Sequence, residues 1–188
     1  DDPPFAKVLF DSAGWAWLWL LIRLYLGYTW LTSGLGKLSN PAWTQTGAAL
    51  KGFWERAVAV PAAPARPAIA FDWYRTIIQT LLDGGHFIWF AKLVTAAELL
   101  IGVALILGLF TGIAAFFGGF MNWNFMMAGT ASINPLLFVL AILLILAWKA
   151  AGWWGLDRWA LPLLGTPWRP GTIFGKELMT TEDERSAS

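Results

Sequence analysis

Cysteine is absent from this chain of 188 residues, and histidine occurs once, at His86. The chain therefore lacks the thiolates that disulfides, thiolate zinc sites and iron–sulfur clusters require. A single histidine cannot supply both axial ligands of a bis-histidine haem. We expect the protein to hold no covalently attached group and no metal ion.

Charged residues are also scarce, at 13% of the chain, whereas soluble domains average about a quarter. The net charge of +1 gives no electrostatic basis for binding nucleic acid. Hydrophobic residues make up 57%, which excludes an ordinary soluble enzyme and a disordered chain. The 14 tryptophans are typical of proteins that contact a membrane interface.

Four apolar stretches approach the roughly 20 residues that a membrane-spanning helix needs. The links between the last three are so short that these helices should be antiparallel neighbours. The sequence predicts an all-α integral membrane protein, a four-helix bundle that forms a single domain over residues 1–188. The predicted spans are residues 13–36, 87–109, 112–129 and 135–151.

The segment of residues 37–85 has a different composition and is predicted to be an interfacial insertion. Residues 43–58 have the pattern of an amphipathic helix, and a Pro/Ala stretch follows it. Asp72 then resembles a helix cap, and Gly84 with Gly85 ends this second helix. We expect two amphipathic helices on the membrane surface or over the bundle. Residues 152–188 are predicted to be an interfacial tail.

Four crossings would place both termini on one side of the membrane. The numbers of Lys and Arg residues on the two sides are equal, so the positive-inside rule alone gives no orientation. The Lys and Arg residues of the 37–85 segment have less influence, however, because that segment is long. This comparison favours cytoplasmic termini, in the cytoplasmic membrane of a prokaryote. The bilayer is the first expected partner.

Charged side chains within the predicted spans indicate a structural or functional role, because placing a charge in the hydrocarbon core of a bilayer costs free energy. Arg23, Glu98 and Asn122 lie near the middle of the first three spans. We expect Arg23 to form an ion pair with Glu98. Asn122 would then bond to the hydrogen-bond donors and acceptors that this pair leaves without a partner. The cluster either fixes the helices in register or lines a pocket for a polar headgroup, such as a quinone ring, or a proton path. Lys37 is expected to reach the lipid headgroups instead. The full candidate ligand-binding set is Arg23, Glu98, Asn122, Asn124, Trp123 and Tyr28.

Three sequence segments resemble the DoxX/DoxD-like family of membrane proteins. In RLYLGYTWLTSGLGKL, the residues Arg23, Gly27, Gly34 and Lys37 with Leu38 match the first helix of that family. In AELLIGVALILGLFTGIAA, the residues Glu98, Gly102 and Gly108 match the second helix. Residues 124–159 are similar to the family's third-helix exit, fourth helix and tail. The 37–85 connection is longer than is usual in the family.

The resemblance implies a four-helix membrane protein tied to redox systems, similar to a subunit of thiosulfate:quinone oxidoreductase. We therefore expect a membrane subunit of a quinone-linked redox complex, with other membrane or peripheral redox subunits as partners and quinone as its ligand. Assembly with further copies of the chain is also open. The alternatives are an accessory subunit without its own catalysis, and a transporter of small molecules or lipids. No residue is assigned a catalytic role, and whether the chain is an enzyme stays open.

Overall fold

The computed structural model describes residues 4–165, and every regular element in that range is helical. The all-α prediction is confirmed there, while residues 166–188 of the predicted tail lie outside the described range. A short 3-10 helix, Ala13–Trp15, precedes the second α-helix. In chain order the α-helices are α1 (Pro4–Asp11), α2 (Ala16–Leu38), α3 (Pro41–Thr44), α4 (Ala48–Val58), α5 (Asp72–Asp83), α6 (Phe87–Leu107), α7 (Thr111–Met127), α8 (Asn134–Leu146), α9 (Trp148–Ala151) and α10 (Asp157–Leu163).

The four longest apolar helices pack around one core. Helix α2 contacts α6 and α8, and α7 contacts α6 and α8, so the four close into a ring. Their shared interior holds large aromatic and aliphatic side chains in close van der Waals contact, which stabilises the packed helices. The buried members include Trp19, Leu26, Trp30, Ile101, Leu105, Leu137 and Leu144.

Helix boundaries differ from the predicted spans by one to three residues at several ends, and the fourth span is interrupted. The first helix of the bundle begins at Ala16 rather than at residue 13, because Ser12 accepts a hydrogen bond from the Gly14 N–H and starts a 3-10 turn. The predicted fourth span, 135–151, is interrupted at Ala147, where α8 ends and α9 begins. Helix α1 was not predicted from the sequence.

Membrane-spanning capacity differs among these helices. Within residues 4–165, α6 alone is both long and apolar enough to cross a bilayer by length and composition, and α8 is apolar but shorter. Helix α2 has 23 residues, but Arg23, Lys37 and several small or polar residues lower its hydropathy. Length and composition therefore support one crossing directly.

Glycines bring α2 and α6 into close contact. A Cβ added at Gly34 would lie 2.9 Å from the Leu99 side chain, and one at Gly27 would lie 2.8 Å from that of Ile106. The two helices approach closely at Gly27 and Gly34 because glycine has no side chain. The earlier glycine, Gly27, faces the later residue of α6, Ile106, so the two helices are antiparallel. Their register determines which polar side chains of α2 and α6 can contact each other.

Helices α4 and α5 form a second layer against the start of α6. Leu50, Trp54, Tyr74 and Ile78 are buried there together with Ala91 of α6. The two predicted helices of the 37–85 segment are confirmed as helices. The first is split, however, because Gly47 adopts a left-handed conformation (φ +69°) between α3 and α4. Phe71, not Asp72, occupies the N-cap position of α5.

Candidate functional site

A cavity of about 480 Å³ lies between α2, α4, α6 and the connection from α7 to α8. Its volume is in the range of small-molecule sites, about 300–1,000 Å³. Four aromatic side chains, Trp30, Trp43, Phe53 and Phe125, line it together with aliphatic residues. The cavity therefore suits a flat apolar ring that meets a few polar groups.

The polar wall of this cavity is an ion pair between Lys37 and Glu98. The Lys37 Nζ donates to Glu98 Oε2 at 2.7 Å and to Oε1 at 2.9 Å. The Glu98 side chain is 1% exposed and that of Lys37 is 18% exposed. Both side chains line the cavity, and Lys37 is the more exposed of the two.

Two further side chains hold Lys37 in place. Its Nζ donates to the Ser33 Oγ, one helical turn earlier, at 2.8 Å. The same Nζ lies 5.0 Å from the centre of the Trp43 ring, within the range of a cation–π contact. Ser33, Trp43 and Glu98 together fix the position of the Lys37 side chain at the wall of the cavity.

The predicted pair between Arg23 and Glu98 is wrong. The Arg23 Nη2 donates to the Trp154 carbonyl oxygen at 3.1 Å, and its guanidinium packs against Gly108 at the end of α6. Gly108 is ten residues from Glu98, about 15 Å along a helix. The prediction assumed that the centres of the two spans lie at one depth, but the glycine contacts between α2 and α6 place Lys37 opposite Glu98. The expectation that Lys37 reaches the lipid headgroups is wrong for the same reason.

Arg23 belongs to a separate polar cluster at the opposite end of the bundle. The Asp157 carboxylate accepts hydrogen bonds from the Phe110 N–H at 2.6 Å and the Thr111 N–H at 2.9 Å. It also attracts the Arg23 guanidinium. The Asp157 N–H donates to the Gly108 carbonyl oxygen at 2.8 Å. These contacts fasten the segment after α9 to the turn between α6 and α7.

The other predicted site residues lie outside the cavity lining. Asn122 is fully buried, and its amide makes no hydrogen bond within residues 4–165. Asn124 accepts from the Tyr74 hydroxyl through both its backbone and side-chain oxygens, at 3.1 Å each. Trp123 packs against Tyr74 and Phe120. Tyr28 is 65% exposed on the outer face of α2. Of the six, only Glu98 lines the cavity.

The contact between Tyr74 and Asn124 attaches the second helical layer to α7. Burial raises the pKa of the Tyr74 hydroxyl, which is therefore a hydrogen-bond donor at neutral pH. Asn124 also donates to the Phe120 carbonyl oxygen. Asn124 and Tyr74 thus position α5, and through it α4, over the cavity.

Sequence reasoning missed Ser33, Trp43, Phe53 and Arg56. The spacing of Ser33 and Lys37 places them on one face of a helix, and this signal was available. Trp43, Phe53 and Arg56 belong to the 37–85 segment, whose docking over α2 and α6 depends on tertiary packing and has no sequence signal of its own.

Comparison with known proteins gives one family. Residues 18–131 match the family model described as DoxX. The matched range includes the ion pair and all residues of α3, α4 and α5. No curated protein and no solved structure gives a significant match.

Proposed function

Because the chain belongs to the DoxX family, and is therefore a membrane-associated protein, we propose that it is a membrane subunit of a quinone-linked redox complex. In this proposal the cavity behind α4 holds the quinone ring. The observation that supports it most is the Lys37–Glu98 pair, buried at one wall of an otherwise aromatic and aliphatic cavity.

The residues of the cavity fit a quinone headgroup. The aromatic walls offer stacking surfaces for the ring. The Lys37 ammonium, whose three N–H groups are directed at Glu98 and Ser33, presents a positive charge to a ring carbonyl. A quinone supplies two-electron, two-proton redox chemistry when it is bound. The protein's own part is to bind the ring, orient one carbonyl towards Lys37 and keep bulk water out. Electrons would come from a partner redox subunit.

The test is to fill the cavity and measure quinone binding. Ala49 lines the cavity, whereas the adjacent Ala48 is exposed and does not. We expect Ala49→Trp to weaken the binding of menadione, a naphthoquinone without an isoprenoid tail, by about tenfold or more, which is at least about 1.4 kcal/mol. The measurement is equilibrium dialysis of the purified full chain in detergent.

Ala48→Trp is the matched control and should bind menadione with the affinity of the unmodified chain. Equal binding by the two tryptophan variants would show that the ring binds elsewhere. No binding by the unmodified chain would overturn the proposal and favour an accessory subunit without a quinone site.

We further propose that the chain crosses the cytoplasmic membrane of a prokaryote four times, through α2, α6, α7 and α8 continued by α9. At 1.5 Å per residue these segments reach roughly 25–35 Å, close to the hydrocarbon thickness of a bilayer. Residues 39–86 and the α7–α8 connection then lie on one side. The two ends of the chain lie on the other, cytoplasmic side.

Cysteine labelling tests this topology without removing any native cysteine, since the chain has none. We expect Ala63→Cys and Ala131→Cys, both exposed, to react with an impermeant maleimide added outside intact cells. Ala13→Cys, exposed before α2, should react only after the membrane is opened. Labelling of Ala63→Cys and Ala131→Cys from opposite sides would exclude four crossings.

A further inference from the structure

The charges that line the cavity do not cancel. Lys37 and Glu98 neutralise each other at the inner wall. Arg56, in the last turn of α4, also lines the cavity and brings a second positive charge. The lining therefore has a net charge of one positive unit, and Arg56 carries it.

Arg56 differs from its charged neighbours because no carboxylate accompanies it. On the same helix Lys51 lies 3.7 Å from Glu55, and on α5 Arg75 lies 2.6 Å from Asp72. Within residues 4–165, Arg56 forms no such pair. A guanidinium at a cavity wall, with its donors unused by any described acid, can bind an oxyanion.

We propose that Arg56 determines ligand specificity, so that the cavity prefers a ring with an acidic, ionised oxygen over the same ring without one. This inference rests on the proposed quinone site and names its ligand class: hydroxyquinones and related aromatic oxyanions. The ring carbonyl faces Lys37 and the oxyanion faces Arg56. Neither contact requires bond making or electron transfer.

Two naphthoquinones of nearly equal size separate charge from shape. Menadione bears a methyl group and is neutral, whereas lawsone bears a hydroxyl group in the corresponding position and is an anion at neutral pH. We expect the unmodified full chain in detergent to bind lawsone about fivefold to tenfold more tightly than menadione, the range for a partly exposed charge-assisted contact. Added KCl should reduce this ratio, because an exposed guanidinium is screened.

Arg56→Gln should bring the ratio of the two affinities close to one, because it weakens the binding of lawsone more than the binding of menadione. Arg66→Gln is the control, since Arg66 is an exposed arginine of the Pro/Ala stretch that does not line the cavity, and it should retain the preference. Equal binding of both rings by the unmodified chain, or a preference that persists in Arg56→Gln, would overturn the specificity role and leave the quinone site intact. If neither ring binds, the proposed function fails and this inference fails with it.

Discussion

Replacing Lys37 with methionine is expected to lower the free energy of unfolding by about 3–5 kcal/mol, because it leaves the Glu98 carboxylate buried without its counter-charge. Glu98 is 1% exposed, and Lys37 donates to both of its oxygens. Ser33 alone cannot replace an ammonium group. The measurement is unfolding of the purified chain in mixed micelles by titration with SDS, followed by circular dichroism.

A second substitution distinguishes loss of the pair from loss of packing. Lys37→Met combined with Glu98→Met should recover most of the lost stability, because a buried ion pair can be replaced by apolar side chains of similar volume. Lys51→Met is the matched control: the pair of Lys51 with Glu55 is about half exposed on both sides, and its loss should cost about 0.5 kcal/mol or less. If the double variant is no more stable than Lys37→Met alone, the pair does not provide the stabilisation assigned to it.

The general architecture could be predicted because it follows from local patterns. Apolar stretches of spanning length predicted the helices of the bundle, and an amphipathic period with a proline-rich break predicted α4 and α5. Gly27 and Gly34, one heptad apart, indicated that the first helix can approach a neighbouring helix closely. All three features depend on residues close together in the sequence.

The register between helices could not be predicted, and the site depends on it. A register is set by many side-chain contacts across two helices, such as Gly34 with Leu99 and Gly27 with Ile106. A shift of about four helical turns along α2 replaces Arg23 by Lys37 as the partner of Glu98. The sequence therefore identified a buried carboxylate that needs a cation, but it could not identify which of two cations on the same helix supplies it.

Gly108→Ala is expected to be the most damaging of the small substitutions, with a loss of about 4 kcal/mol or more from two independent causes. Gly108 has φ +66°, a left-handed conformation that costs an alanine about 1–2 kcal/mol. A Cβ at this position would also collide with the Arg23 guanidinium. Moving Arg23 would break its bond to the Trp154 carbonyl oxygen and separate it from Asp157, so a buried charge would lose its partners.

Gly85→Ala separates these two causes, because Gly85 has nearly the same conformation (φ +68°) but open space where the Cβ would lie. Its cost should be the backbone term alone, about 1–2 kcal/mol, in the same SDS titration. If the two alanine variants lose equal stability, then Arg23 moves aside without cost. The cluster of Arg23, Gly108 and Asp157 would then not fasten the segment after α9 to the bundle. A larger loss at Gly108 would show that this end of the molecule is held by the close packing of Arg23 and of the Gly155 backbone against Gly108, independently of the ion pair that forms the wall of the cavity.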